Sequence, residues 1–256
     1  MENYYSDTIN RRYEYKYLIG RGISRGVTTF LSQYLELDEY CLKEENHNYT
    51  VRSIYYDNPS FTCFHEKLDG QKYREKFRIR TYNGPGTAPI FLEDKKKNGS
   101  FYEKYRAELN DYTMRMIDDP HFDSNEEGSI PEKYKSLIER FLFHLRGKAY
   151  FPAVLVAYDR EAYVEPEGNN IRVTLDKNLR AVLFPNLNQI YEEERLEYIL
   201  YNWIILEVKF SQIVPRWLKR LVSLFNLNRQ ACSKYCTSLG HFLGEVPEVK
   251  GSVANV

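Results

Sequence analysis

The feature that most constrains this chain is a series of short segments in which every second residue is apolar and its neighbour is charged. That period of two is the signature of a half-buried β-strand, because successive side chains leave a strand on opposite faces. Tyr13–Ile19 puts Tyr13, Tyr15, Tyr17 and Ile19 on one face, and Glu14, Lys16 and Leu18 on the other. Phe77–Tyr82 sets Phe77 and Ile79 against Arg78 and Arg80. Ile90–Lys97 sets Leu92 against Glu93 and Lys95. Phe101–Leu109 sets Tyr105, Ala107 and Leu109 against Lys104, Arg106 and Glu108. Asn98-Gly99 lies between those last two segments and reads as a tight hairpin turn. A second hairpin joins Ala153–Glu165, which carries Arg160, to Ile171–Lys177 through residues 167–170. Its second strand sets Val173 and Leu175 against Arg172, Thr174 and Asp176. Ile204–Phe210 sets Leu206, Val208 and Phe210 against Glu207 and Lys209.

Amphipathic helices accompany the strands. Pro131–Arg146 carries Leu137, Ile138, Phe141, Leu142 and Leu145 at three-and-four spacing, with Pro131 in the first turn and Gly147 at the stop. Pro215–Phe225 repeats the pattern, and weaker versions occur at Thr28–Leu37 and Arg229–Leu239. Apolar strand faces need covers, and these helices supply them. The arrangement expected is α+β: a closed antiparallel barrel with helices outside and the charged faces lining a polar lumen.

One charged strand face is ordinary solvated sheet. The set is less ordinary. Nine bases (Lys16, Arg78, Arg80, Lys95, Lys104, Arg106, Arg160, Arg172, Lys209) meet five acids (Glu14, Glu93, Glu108, Asp176, Glu207). Five of the nine are arginine, whose planar fork suits phosphate oxygens. Like charges gathered on a lumen repel and lose hydration, so the arrangement calls for a polyanion. Interspersed carboxylates suit a divalent metal.

The whole-chain charge conceals this. With 36 Lys+Arg against 36 Asp+Glu the formal net charge is zero, which would count against a polyanion partner if the charges were spread evenly. They are not: acids collect at 118–127 and 192–197, away from the strands. The aromatics alternate onto the face opposite the bases, which favours core packing over nucleic-acid stacking. Apolar runs such as Ala149–Tyr158 and Ile199–Leu206 are too short to span a bilayer, which needs about 20 residues. No signal-peptide h-region opens the chain, so a cytoplasmic protein without direct membrane insertion is expected. Cys41, Cys63, Cys232 and Cys236 show no zinc spacing and read as reduced thiols, the last two on one helix face. His144 sits in an apolar helical run and reads as a core residue. No P-loop is present, and Gly20-Arg21-Gly22 reads as a turn after a strand. Residues 11–244 read as one domain between mobile ends at 1–10 and 245–256.

Eight ordered motifs carry a resemblance. They are RYEYKYLI (12–19), RSIYYDNPSF (52–61), KLDG (67–70) with FRIRTY (77–82), FLEDKKKNGSFYEKYRAEL (91–109), VAYDREAY (156–163), IRVTLD (171–176), LEVKF (206–210) and SKYCTSLG (233–240). In these the chain resembles the VTC domain, the polyphosphate polymerase domain of the vacuolar transporter chaperone family. That family belongs to the triphosphate tunnel metalloenzyme (CYTH-like) superfamily. The resemblance implies an eight-stranded tunnel in which the γ-phosphate of ATP passes to inorganic polyphosphate, with Mn²⁺ or Mg²⁺. It assigns the catalytic basic positions to Lys16, Arg78, Arg80, Lys95, Arg160 and Arg172. Lys104 and Lys234 join the chain-binding positions, with Tyr158 as a phosphate-contacting tyrosine, and Arg106 and Lys209 stand beside them on the alternating faces. It gives the metal to Glu207; Glu14, Glu93, Glu108 and Asp176 are further candidates as the interspersed acids of the alternating faces. The E-x-E-x-K opening of the hydrolytic branches is replaced by Arg12-Tyr13-Glu14-Tyr15-Lys16, so the first glutamate is missing. That favours a polymerase over a triphosphatase, and the intact basic positions with Glu207 disfavour a binding-only module. The family's sensing and transmembrane segments have no counterpart here, so a separate membrane protein is the expected partner, holding the chain at the inner face of a membrane.

Overall fold

The structure is a computed structural model and describes residues 12–99, 101–119, 122, 128–166, 171–211 and 213–245. The terminal segments 1–10 and 246–256, the acids Asp123, Glu126 and Glu127, and the hairpin turn at 167–170 lie outside the described residues. The architecture is α+β, an antiparallel sheet with helices. Its strands are β1 (Arg12–Gly20), β2 (Glu36–Leu37), β3 (Tyr49–Asp57), β4 (Tyr73–Tyr82), β5 (Ile90–Asn98), β6 (Phe101–Leu109), β7 (Phe151–Val164), β8 (Ile171–Leu183), β9 (Glu197–Tyr198) and β10 (Trp203–Ser211). The helices are α1 (Arg21–Leu31), α2 (Glu39–Leu42), α3 (Thr62–Leu68), α4 (Asp111–Asp118), α5 (Lys135–Gly147), α6 (Arg216–Leu224) and α7 (Lys234–Leu243).

Hydrogen bonding orders the strands β1-β10-β8-β7-β3-β4-β5-β6, with β2 on β7 and β9 on β8. This corrects the expected closed eight-stranded barrel. There are ten described strands, and the order ends at β1 and β6 without a pairing that joins them. Period-two patterning fixes which face of a strand is apolar, but closure depends on shear and tilt summed over all strands, which no single segment encodes. The chain forms two compact units. Among the described residues, one draws on the span 52–156 and on 181–196; the other draws on 12–51, 157–180 and 197–245.

In the first unit β4, β5 and β6 form a meander. Asn98-Gly99 turns between β5 and β6, with Gly99 at a φ of 60° that favours glycine. One face of the meander presents Phe77, Ile79, Leu92, Ala107 and Leu109, and α5 lays Leu137, Ile138 and Phe141 across it. The helix expected from Pro131 starts with a short 3-10 turn at Glu132–Tyr134 before the α-helix proper. Helix α4 packs Met114 and Ile117, three residues apart, on this core, while α3 is too short to show an apolar period. They are held by caps: Asp57 accepts from the Cys63 and Phe64 amides at 3.0 and 3.1 Å, and Asn110 forms a capping box with Thr113. His144 is buried in this core against Phe77 and Tyr150, as the apolar run implied.

In the second unit β1 pairs β10, and β10 pairs β8. Their apolar face carries Tyr17, Ile19, Leu206, Val208, Phe210, Val173 and Leu175, covered by Val27, Phe30 and Leu31 of α1 and by Leu218 and Leu221 of α6. Tyr13 is the exception on that face: it is exposed and stacks on Phe210, while Leu18, on the charged face by alternation, is buried. Two helix boundaries differ from the pattern. Gly20-Arg21-Gly22 is not a turn: Gly20 ends β1 and Arg21 opens α1, which stops at Leu31 ahead of β2 where the pattern gave a helix over Thr28–Leu37. Gly26 is required within α1, since a Cβ there would meet the Phe225 ring at 2.9 Å. Helix α7 starts at Lys234, not Arg229, because Ser233 caps it through the Cys236 amide and Arg229 bridges to Tyr17 of β1. Cys232 therefore lies outside the helix that holds Cys236. All four cysteines are buried thiols, and burial pushes Cys41 and Cys63 up to about 12.

Candidate functional site

The charged strand faces organise into one cluster in each unit. In the first unit the centre is Glu93. The register sets Arg78 of β4 and Arg106 of β6 directly opposite it on either side. Arg78 donates Nε to Glu93 Oε2 at 2.7 Å, and Arg106 donates Nε to Oε1 at 2.8 Å. Lys104 Nζ adds a third contact to Oε1 at 2.8 Å. Burial opposes the Glu93 carboxylate, but Arg78, Arg80, Lys104 and Arg106 outweigh it and hold its pKa far below the carboxylate range. Four cations thus face one carboxylate. Glu93 was a candidate metal ligand, and here both its oxygens are taken by cations.

Three residues that the alternation did not single out complete this cluster. Arg78 Nη1 donates to the Tyr55 hydroxyl at 3.1 Å, Arg106 Nη2 to the Tyr82 hydroxyl at 3.1 Å, and Arg80 Nε to Ser53 Oγ at 2.9 Å. Arg80 is itself buried. Burial raises the Tyr55 phenol, but Arg78, Lys76 and Arg80 more than reverse this and bring it down to about 7. Ser53 and Tyr55 alternate with Ile54 and Tyr56 on β3, so a period of two was present. Two of those four side chains are tyrosines of opposite orientation, which hid it. The expectation that aromatics avoid the basic face fails for Tyr55 and Tyr82. Lys95 stands one row further along, between Lys76 and Lys104, exposed and 5.1 Å from the Tyr102 ring centroid. Glu108 is exposed, outside the Glu93 contacts.

In the second unit the register pairs Lys16 with Glu207, and Glu14 with Lys209. Lys16 Nζ lies 2.8 Å from Glu14 Oε1, 3.3 Å from Glu207 Oε2 and 3.1 Å from the Cys232 carbonyl. Lys209 Nζ takes the other Glu207 oxygen at 2.7 Å. Burial works against the Lys16 ammonium, but the Glu207 and Glu14 carboxylates prevail and raise its pKa. Burial likewise opposes the Glu207 carboxylate, and Lys16, Lys209 and Lys234 reverse this and keep it ionised. Beside this pair Asp176 is fully buried. It receives Arg160 through two parallel bonds of 2.7 and 2.9 Å, and Lys234 at 2.5 Å. The Tyr158 ring lies under both cations, with Lys234 Nζ 4.7 Å and the Arg160 guanidinium carbon 5.2 Å from its centroid. Lys234 reaches this point because Ser233 fixes the first turn of α7, a link that strand periodicity could not supply. Arg172 turns to Asp38 at 2.5 Å and to the Tyr49 hydroxyl at 3.2 Å. Asp38 and Tyr49 sit outside the alternating segments and were missed.

The donor set limits how a metal could be held. Among the described residues no group of three or more His, Cys, Asp or Glu is arranged around one point. Glu14 and Glu207 do converge on the Lys16 ammonium. One or two carboxylates completed by substrate phosphates is the usual way Mg²⁺ is bound; this pair would hold such an ion only with Lys16 and Lys209 moved from Glu207 onto the phosphates.

The chain matches the family model of the VTC domain over residues 11–242. It belongs to the VTC domain family. It is also similar to the Schizosaccharomyces pombe vacuolar transporter chaperone complex subunit 4. That match is 25% identical over 207 residues, covering 68% of this chain and 29% of that protein. Among solved structures, a candidate adenylate cyclase from Bacillus halodurans is 12% identical, with 88% of this chain and 94% of that one covered at a TM-score of 0.46. The Mimivirus capping enzyme triphosphatase is 10% identical, with 87% and 89% covered at a TM-score of 0.29. At these scores neither likeness bears on the chemistry of this VTC domain. No helix among its described residues is long and apolar enough to cross a membrane.

Proposed function

We propose that this VTC domain is an ATP-dependent polyphosphate polymerase. The observation that carries the reading is the placement of Lys16, Arg78, Arg80, Lys104, Arg160, Arg172 and Lys234 in two clusters with buried carboxylates, in a chain of this family. In the reaction the terminal oxygen of a polyphosphate chain attacks the γ-phosphorus of ATP. The bond from that phosphorus to the β–γ bridging oxygen breaks, and ADP leaves. No protein nucleophile is needed. Phosphoryl transfer has a loose transition state and is accelerated by in-line positioning and charge stabilisation.

The side chains present suit that task. Glu93 and Asp176 hold Arg78, Arg106, Arg160 and Lys234 in fixed geometry before any substrate arrives. This is preorganisation: the cations do not have to be gathered at the moment of reaction. Arg78, positioned by Glu93 and Tyr55, and Arg80, positioned by Ser53, are the arginines of the first cluster assigned to phosphate oxygens. ATP carries roughly −4 near neutral pH, and the four-to-one excess of cations around Glu93 complements it. A divalent ion, when bound, supplies further neutralisation of phosphate charge, and Glu207 with Glu14 would hold it. A membrane-associated partner belongs to the same reading, the S. pombe relative being a complex subunit by name.

The test is purified protein with ATP and Mn²⁺, its products separated on a polyphosphate gel. Long polymer is expected. Orthophosphate alone would make the protein a triphosphatase, and no turnover with retained polyphosphate binding would make it a binding module. Arg80→Ala should lower polymer yield about 10²–10³-fold, the cost of one well-placed electrostatic donor. Unchanged yield would remove Arg80 from the site.

A further inference from the structure

The tip of the β5–β6 hairpin, with the start of β4 beside it, is not explained by phosphate chemistry. Its outermost row pairs Tyr73, Asn98 and Phe101, and the next pairs Arg74, Lys97 and Tyr102. Adjacent rows point to opposite faces, so aromatic rings project from both sides of the tip. Tyr73 is 69%, Phe101 56% and Tyr102 60% exposed. Helix α5 does not reach them. Its Arg140 meets Glu75 at 3.4 Å and lies 5.1 Å from the Tyr105 ring centroid, so its cover begins one row further in. The Gly99 amide bonds to the Lys72 carbonyl at 3.0 Å, which ties the end of β5 to the start of β4. Residues 72–74 and 95–102 hold five Lys/Arg and no Asp or Glu. The Tyr102 ring lies between two of them, 5.1 Å from Lys95 Nζ and 5.8 Å from Lys97 Nζ.

Exposed rings on both faces cost solubility, and no apolar cover is seen over them among the described residues. Tyrosine and phenylalanine interleaved with lysine is the composition of groups that sit at the headgroup level of a bilayer, where rings meet acyl carbon and ammonium groups meet phosphate. A chain of free phosphates would use the lysines and leave the rings in water. Two rows of strand extend roughly 7 Å, within the ~5–10 Å depth of the interfacial zone. We infer that this hairpin tip is a docking element for the surface of a membrane rich in anionic lipid. No spanning helix is needed for such docking, and it is independent of whether the protein makes polyphosphate.

The experiment is co-sedimentation of the full chain with phosphatidylcholine vesicles containing about 30% phosphatidylserine, and with phosphatidylcholine alone, near physiological salt. Sedimentation with the anionic vesicles only is expected. Tyr73→Ser/Phe101→Ser/Tyr102→Ser should abolish it, and Lys72→Gln/Lys97→Gln should weaken it about five-fold per cation removed. If the triple variant does not fold, Phe101→Trp in the otherwise unchanged chain should show a blue-shifted emission on adding anionic vesicles, read as a difference from the wild type. The inference is overturned by absent sedimentation, by equal sedimentation with neutral vesicles, by a triple variant that sediments like wild type, or by no emission shift. It is also overturned if the triple variant loses soluble polyphosphate binding and vesicles are not bound.

Discussion

Replacing Glu93 by Gln removes one negative charge from beneath Arg78, Lys104 and Arg106 while keeping the size of the side chain. Two unit charges about 2.8 Å apart attract by roughly 6 kcal/mol at an effective dielectric of about 20. The three contacts do not count equally. The Lys104 and Arg106 side chains are 45% and 39% exposed, so water and salt replace much of what they lose. Arg78, at 21%, is the partner left without compensation. Breaking a buried pair by removing one partner costs about 3–5 kcal/mol, and with one such partner the lower end applies, about 3 kcal/mol. For a chain of this size that lowers Tm by about 6–12 °C. The assay is thermal unfolding with and without tripolyphosphate. If Glu93 is the internal counter-ion of a phosphate-binding cluster, an added anion replaces it, and the gap between variant and wild type narrows with tripolyphosphate alone. If Glu93 were a metal ligand, the gap would respond to Mn²⁺ and not to phosphate. A gap below about 1 °C, or one that tripolyphosphate leaves unchanged, refutes the reasoning.

The other charged centres give related expectations. Burial opposes ionisation of Asp176, but Arg160 and Lys234 outweigh it and lower its pKa, so its contribution to stability is present above the unfolded value near 4 and is lost as pH falls through the folded one. Asp176→Asn should therefore be destabilising by at least about 3 kcal/mol at pH 7, and its Tm should converge on wild type as pH drops from about 5 towards 3. Tyr55, brought down to about 7, should ionise between pH 6 and 8 by absorbance near 295 nm, and Tyr55→Phe should remove that transition. Because its folded pKa lies below its unfolded value near 10, this phenol adds stability as pH rises from 7 to 10 and adds none below 7. Tripolyphosphate should shift the transition upward by offsetting the arginines, and a transition that ignores it would separate Tyr55 from the phosphate site.

Much of the candidate site was legible along the chain because a strand converts position into direction. Lys16, Arg78, Arg80, Lys104, Arg106, Arg172, Asp176, Glu207 and Lys209 all emerge on charged faces by counting in twos. Counting in twos does not say which charge meets which. Glu93, for one, meets Arg78, Lys104 and Arg106 at once, and Asp176 meets both Arg160 and Lys234. Nor could counting bring Lys234 to Asp176, since that contact depends on where α7 begins, or Asp38 to Arg172, since Asp38 is the cap of a four-residue helix.

The sequence by itself determined every long strand except β3, their apolar and charged faces, the hairpin at Asn98-Gly99 and the VTC membership carried by the ordered motifs. These are local, because each depends on a few adjacent residues and the period of the backbone. Only the tertiary structure decided that the ten strands follow an order without closure, that Glu93 and Glu207 are flanked by cations from neighbouring strands, and that Tyr55 and Tyr158 lie among those cations. Those outcomes depend on register and on the docking of distant segments. Their electrostatics arise from burial and proximity, which no stretch of sequence carries alone.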